Sequence, residues 1–250
     1  MATAPRWTIL HEEPDWLAID KPAGLLSTPD RFDRDKANLH DLLTARYGKV
    51  HPIHRLDRET SGVILFARTP EANRQLSRQF EEHTVEKTYL ALTRGVPTAA
   101  TGEIDAPLAE CVRRPGLMRI DLRHGQPART RWRVLEWLGP FTLFEVQPLT
   151  GRQHQIRVHL SGMGLPLAVD PEYGGNTALF LSEFKPGYKR ATGGGERPLI
   201  ARLTLHAARL RFRHPGTQEP IEVTAPLPHD FEVALKQIRR WVGSAVPTAR

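Results

Sequence analysis

The densest group of residues able to do chemistry is His54-Arg55-Leu56-Asp57-Arg58-Glu59-Thr60-Ser61-Gly62, directly before the apolar run Val63–Ala67. A carboxylate set between arginines, on a loop about to enter the core, is held toward its ionised form by the neighbouring cations. Ionised, it can serve as a nucleophile or a base at neutral pH. The same residues can also form an Asx turn with surface ion pairs, and Asp57 would then only shape the chain. A second group, Thr150-Gly151-Arg152-Gln153-His154-Gln155-Ile156-Arg157-Val158-His159, lies where a turn meets a predicted helix, a junction whose free N–H groups attract phosphate. Arg157 follows Gln153 by one helical turn and adjoins the apolar stripe, so its guanidinium can reach inward. His154 and His159 raise the idea of a metal, but their i,i+5 spacing puts them on different helix faces with no acidic residue nearby in the helix. The third element is the strand Glu86–Leu92, on which Lys87, Tyr89 and Ala91 share one face. Its tyrosine either stacks on a nucleobase or packs across strands.

Around these groups the pattern predicts a scaffold of strands with few helices. Strands are expected at Trp7–Leu10, Trp16–Ile19, Val63–Ala67, Thr88–Leu92, Met118–Leu122, Thr130–Trp137, Phe141–Val146, Leu203–Phe212 and Ile221–Thr224. Helices are expected over 37–47, 70–83, 153–163 and 229–241. Gly48 should stop the first helix, Pro70 suits the first turn of the second, and Ile156, Leu160 and Met163 form the stripe of the third. Residues 171–199, rich in glycine, read as a long surface loop with one short helix near 178–184. Grouped strands favour an α+β fold, a mixed and largely antiparallel sheet with flanking helices. No repeat or linker divides residues 1–250, so a single domain is expected.

Composition narrows the partners. Lys+Arg total 35 against 28 for Asp+Glu, giving a net charge of +7 in 250 residues. That balance favours polyanions, whose displaced counterions contribute to binding. The lone Cys111 excludes an intramolecular disulfide and a thiolate zinc cluster. Residues 1–16 have no apolar leader and no stretch reaches the length of a membrane span, so a soluble cytoplasmic protein with no membrane association is expected.

Several segments together resemble one family. They are Asp20-Lys21-Pro22-Ala23-Gly24, the complete HRLDRETSG at 54–62, Lys87-Thr88-Tyr89-Leu90-Ala91, Leu149–Leu160 with TGRQHQIRVHL, and Leu205-His206-Ala207. In this order they are similar to the pseudouridine synthases of the RluA family, which modify uridines in ribosomal and transfer RNA. One departure is Val169, which stands before Asp170 where the family usually has glycine.

The resemblance implies a catalytic domain with an active-site cleft across its sheet, no N-terminal accessory RNA-binding domain, and no metal or organic cofactor. RNA is the partner it implies, and a monomer with no obligate protein partner is expected. It gives Asp57 the role of required carboxylate, attacking either the anomeric carbon or carbon 6 of the base, or assisting departure of uracil. Tyr89 matches the active-site tyrosine and Arg157 the basic partner of the aspartate. The target base must be flipped out of its stack, and Arg55 matches the position that fills the vacated space. Arg58, Arg152 and His154 are candidate phosphate or sugar contacts. The competing readings are a silent RNA-binding module and a hydrolase using His54 with Asp57, which lacks a separate serine or cysteine nucleophile.

Overall fold

Side-chain caps and glycine turns set several element boundaries. The computed structural model describes residues 6–30, 33–189 and 195–247. Its first elements are β1 (Thr8–Glu12), β2 (Trp16–Lys21), α1 (Leu39–Tyr47), β3 (His51–Pro52), β4 (Ser61–Ala67) and α2 (Pro70–Glu81). Next come β5 (Glu86–Arg94), β6 (Thr101–Asp105), β7 (Leu108–Glu110), β8 (Met118–Ile120), β9 (Arg129–Leu138) and β10 (Phe141–Pro148). The last are α3 (Gln155–Gly162), β11 (Leu205–Arg213), β12 (Pro220–Thr224) and α4 (His229–Val242). Asn38 caps α1 by accepting the Asp41 N–H, and Thr69 caps α2 by accepting that of Ala72, with Pro70 opening the helix. No helix among the described residues is long and apolar enough to cross a membrane.

The chain separates into two compact units, Met1–Thr88 with His206–Pro226, and Tyr89–Leu205 with Leu227–Arg250. In the first, β4 pairs antiparallel with β2 and β3 and parallel with β11, and β12 extends β11. Every residue of β4 is buried, which explains its unbroken apolar run: it is a central strand with no solvent face. Trp16, Val63, Leu65, Leu76 and Leu210 share the core of this unit. The parallel contact is close. A β-carbon at Gly62, where φ is +115°, would lie 2.1 Å from the Ala207 carbonyl oxygen, so no larger residue fits.

In the second unit, β5, β10, β9 and β6 form an antiparallel sheet. Alternation along β10 splits its side chains between two faces. Phe141 and Leu143 pack with Phe231, Leu235 and Ile238 of α4, whereas Phe144 and Val146 pack with Ile156 and Leu160 of α3. Strand pairs in both units are antiparallel except β4 with β11, which makes this the mixed, largely antiparallel α+β architecture expected.

Several boundaries differ from expectation for local reasons. Helix α3 starts at Gln155, not 153, because His154 adopts a left-handed φ of +54°. Met163 is the C-cap of α3 and 37% exposed, so it leaves the apolar stripe. Strand β8 ends at Ile120 because the Asp121 side chain accepts the N–H groups of Arg123 and His124 and turns the chain, leaving Leu122 exposed. The expected helix near 178–184 is a single 3-10 turn, Leu181–Glu183. The 171–199 segment is more than a surface loop, since Leu179 and Phe184 are buried in the core; its residues 190–194 lie outside the described ones. Strands β3, β6 and β7 had no signal in the sequence pattern.

Candidate active site

Asp57 sits half-buried on the loop between β3 and β4, and that loop is fixed from below by the turn after β2. Ser27 Oγ donates to the Leu56 carbonyl at 2.8 Å and accepts the Leu56 N–H at 3.0 Å, tying both backbone groups of the residue before Asp57. On the other side, the Arg58 carbonyl accepts the Gly24 N–H at 2.9 Å and the Lys21 ammonium at 3.0 Å. Lys21 is fully buried, and its ammonium also donates to the carbonyls of Leu25 and Pro22 at 2.8 and 3.0 Å. Gly24, at φ +83°, allows the tight Lys21–Leu25 turn that gathers these carbonyls. Asp57 itself closes a turn, its carbonyl accepting the Thr60 N–H at 3.1 Å. Lys21 and Ser27 thus act on the loop through its backbone.

The neighbouring polar residues have distinct settings. Arg55 is exposed, and no side-chain hydrogen bond or ion pair engages it among the described residues. Arg58 donates from Nε to the Gly24 carbonyl at 3.0 Å and lies 3.6 Å from Glu59. His54 is a poor base: its Nε2 accepts the Leu65 N–H at 3.2 Å and its ring stacks on Phe80 at 4.6 Å. Burial, and then the charge of Lys87, pushes its pKa down to about 3. Burial also brings Lys87 down to about 8. A hydrolase base at His54 is therefore disfavoured. Behind the loop, Ser61 and His206 are buried and joined at 2.9 Å, Oγ to Nδ1.

The second unit carries the other predicted residues. Tyr89 opposes Val146 across β5 and β10, and it packs with Ala91, Val146 and Ile156, on the face of the sheet that α3 covers. The Thr150–His154 turn is built around the buried amide of Gln155. That amide takes hydrogen bonds from the Thr150 hydroxyl (2.7 Å) and Arg152 N–H (3.0 Å) and donates to the Arg129 carbonyl (2.9 Å) and Thr130 hydroxyl (3.0 Å). Arg152 donates from Nε to the Pro127 carbonyl at 3.1 Å. His154 Nδ1 meets the Tyr173 hydroxyl at 2.8 Å, and His159 is buried between Thr130 Oγ1 (2.8 Å) and the Ala106 carbonyl (2.9 Å). Each histidine is thus committed to a protein partner.

Arg157 is 4% exposed, and its guanidinium does reach inward. Asp170 accepts from its Nε and Nη2 at 2.8 Å each, and Glu172 accepts from Nη2 at 2.5 Å. The guanidinium also lies over the Tyr173 ring, 4.8 Å from its centroid. Asp170, Glu172 and Tyr173 were absent from the residues singled out for chemistry. A signal was present, because an arginine on the apolar side of a helix requires a buried acid, and Asp170 ends the apolar run Leu167–Val169.

Residues 15–162, more than half of the chain, match the family model described as RNA pseudouridylate synthase. The chain belongs to this family. It is 36% identical over 226 residues to the dual-specificity RNA pseudouridine synthase RluA of Pasteurella multocida, covering 90% of this chain and 94% of that one. It is also 36% identical over 243 residues to the ribosomal large subunit pseudouridine synthase D of Nitrosomonas europaea, covering 95% and 67% respectively. Among solved structures, human RNA pseudouridylate synthase domain containing 4 superposes with a TM-score of 0.70 at 28% identity, over 96% of this chain and 94% of that one. The protein is an RNA pseudouridine synthase, an isomerase whose substrate is RNA. The sequence expectation for such an enzyme names Asp57, Tyr89 and Arg157. The matched segment includes all three and ends before Asp170.

Proposed function

We propose that this synthase converts uridines in ribosomal or transfer RNA to pseudouridine with Asp57 as the nucleophile, after turning the target base out of its stack. The bond from ribose to N1 of uracil breaks, the uracil turns, and the ribose rejoins carbon 5. Carbon 5 loses a proton and N1 gains one, so composition is unchanged and no redox partner enters. The observation that carries this reading is the rigid seating of the Asp57 loop, both of whose flanking peptides are tied to Ser27, Gly24 and Lys21. A nucleophile held in one geometry loses little entropy on attack. On this reading Tyr89 packs on the base and assists proton removal from carbon 5, and Arg157 is the basic partner of Asp57. Arg55 fills the space left by the base, while Arg58, Arg152 and His154 contact phosphate or sugar. The RNA target is supported by the names of the relatives, one of which acts on the large ribosomal subunit. The enzyme works in the cytoplasm, as a single chain.

The test is Asp57→Asn, nearly isosteric and poorly nucleophilic. Tritium release from RNA labelled at carbon 5 of uridine should fall to background while the variant stays folded and binds RNA. Release near the wild-type rate removes Asp57 from this role.

A further inference from the structure

Arg157 is gripped by a structure of its own, and the acid at its centre has no part in the mechanism so far. Asp170 has no solvent exposure and takes Nε and Nη2 of Arg157 in a bidentate pair. The same Oδ1 also accepts the N–H groups of Glu172 and Tyr173, at 3.0 and 3.1 Å. One carboxylate therefore folds the Asp170–Tyr173 turn and fixes the plane of the guanidinium. That turn then lays the Tyr173 ring against the guanidinium and points Glu172 at Nη2. The far end of Tyr173 is held too, its hydroxyl accepting the Met118 N–H at 2.8 Å and meeting His154 Nδ1 at 2.8 Å. A paired planar guanidinium has one orientation, whereas a lone cation on a flexible stem has many.

We propose that Asp170 is a positioning residue for isomerisation: by holding Nε and Nη2, it sets the direction in which Arg157 presents Nη1 to the reaction. This rests on the reading that Arg157 serves Asp57. Burying the pair also explains why the grip is bidentate, since a buried charge with a single poor contact is costly. Asp170 acts through Arg157 and has no assigned contact with RNA.

Asp170→Asn is the informative change. The amide oxygen can still accept the two turn N–H groups, but its NH2 now faces an Arg157 donor. The single-turnover rate on pre-bound RNA should fall on the order of a hundredfold, with RNA affinity changed by less than about threefold. The decisive step combines it with Arg157→Met. If Asp170 acts only by positioning Arg157, Asp170→Asn should add no further loss in the Arg157→Met protein. Equal losses in both backgrounds, with Arg157→Met itself strongly impaired, overturn the role of Asp170 and leave that of Arg157 standing. An Arg157→Met rate equal to wild type instead removes the reading beneath it. A measurement independent of activity covers a variant that folds poorly. In the intact wild type, the Arg157 Nε–H resonance should exchange slowly with solvent and move when Asp170→Glu shifts the carboxylate. An unchanged resonance in that variant counts against the proposal.

Discussion

The Lys21 ammonium donates to the Arg58 carbonyl at 3.0 Å from a position with no solvent exposure. This bond ties the turn after β2 to the peptide that follows Asp57. Lys21 is thus a structural cation, its charge spread over carbonyl oxygens of Pro22, Leu25 and Arg58.

Lys21→Met keeps much of the stem's packing and removes the donor. Each carbonyl left without a partner should cost roughly 1–3 kcal/mol, although Arg58 retains the Gly24 N–H. Urea unfolding should show a clear loss of stability. Because the loop shifts rather than the RNA surface, the single-turnover rate should drop more than RNA affinity. A variant as stable and as fast as wild type would mean that the Lys21 bonds do not hold the loop.

His54 gives a pH prediction of definite sign. Its pKa is about 3 in the folded chain, chiefly through burial, against 6.5 for the free group. Between these values the unfolded state binds the extra proton, so stability falls as pH drops from about 6.5 toward 3 and is unaffected by this group above that window. His54→Gln retains an acceptor for the Leu65 N–H without titrating, and its stability should decline less over the same acid range. Pseudouridine formation at neutral pH should persist, because the ring already spends Nε2 on the backbone. Complete loss of activity in a well-folded Gln variant would restore His54 as a chemical group.

Much of this was legible in the residues because local physics dominates them. Pro70 and Thr69 mark the start of α2, and Gly48 marks the end of α1. The unbroken run of β4 announces a buried strand. What escaped depends on distant partners. Strand β6 alternates exposed and half-buried residues and is fixed by pairing with β9, which no local pattern encodes. His154 was expected inside a helix, yet its bond to Tyr173 accompanies a left-handed backbone that delays the helix start. The inward reach of Arg157 was readable from its place beside the stripe. The acid that receives it lies thirteen positions on, Asp170, and only the folded turn brings the two together.

Arg55 supplies the last prediction. It is exposed beside the proposed nucleophile and engaged by no side-chain partner among the described residues, so it is available to RNA. If it fills the space vacated by the flipped uridine, planarity matters as well as charge, because a guanidinium can stack where an ammonium cannot. Arg55→Lys should therefore leave the salt dependence of RNA binding unchanged while slowing single turnover on a stacked target uridine. On an RNA whose target uridine is already unstacked, the two proteins should react at closer rates, since less energy is needed to turn the base out. Arg55→Ala should add a loss of about 0.7–0.9 in the slope of log affinity against log salt if the residue also neutralises a phosphate. Filter binding across a salt series and tritium release on the two RNAs test these effects separately. If Arg55→Lys matches wild type on the stacked target, Arg55 acts as a plain charge and something else occupies the gap left by the base.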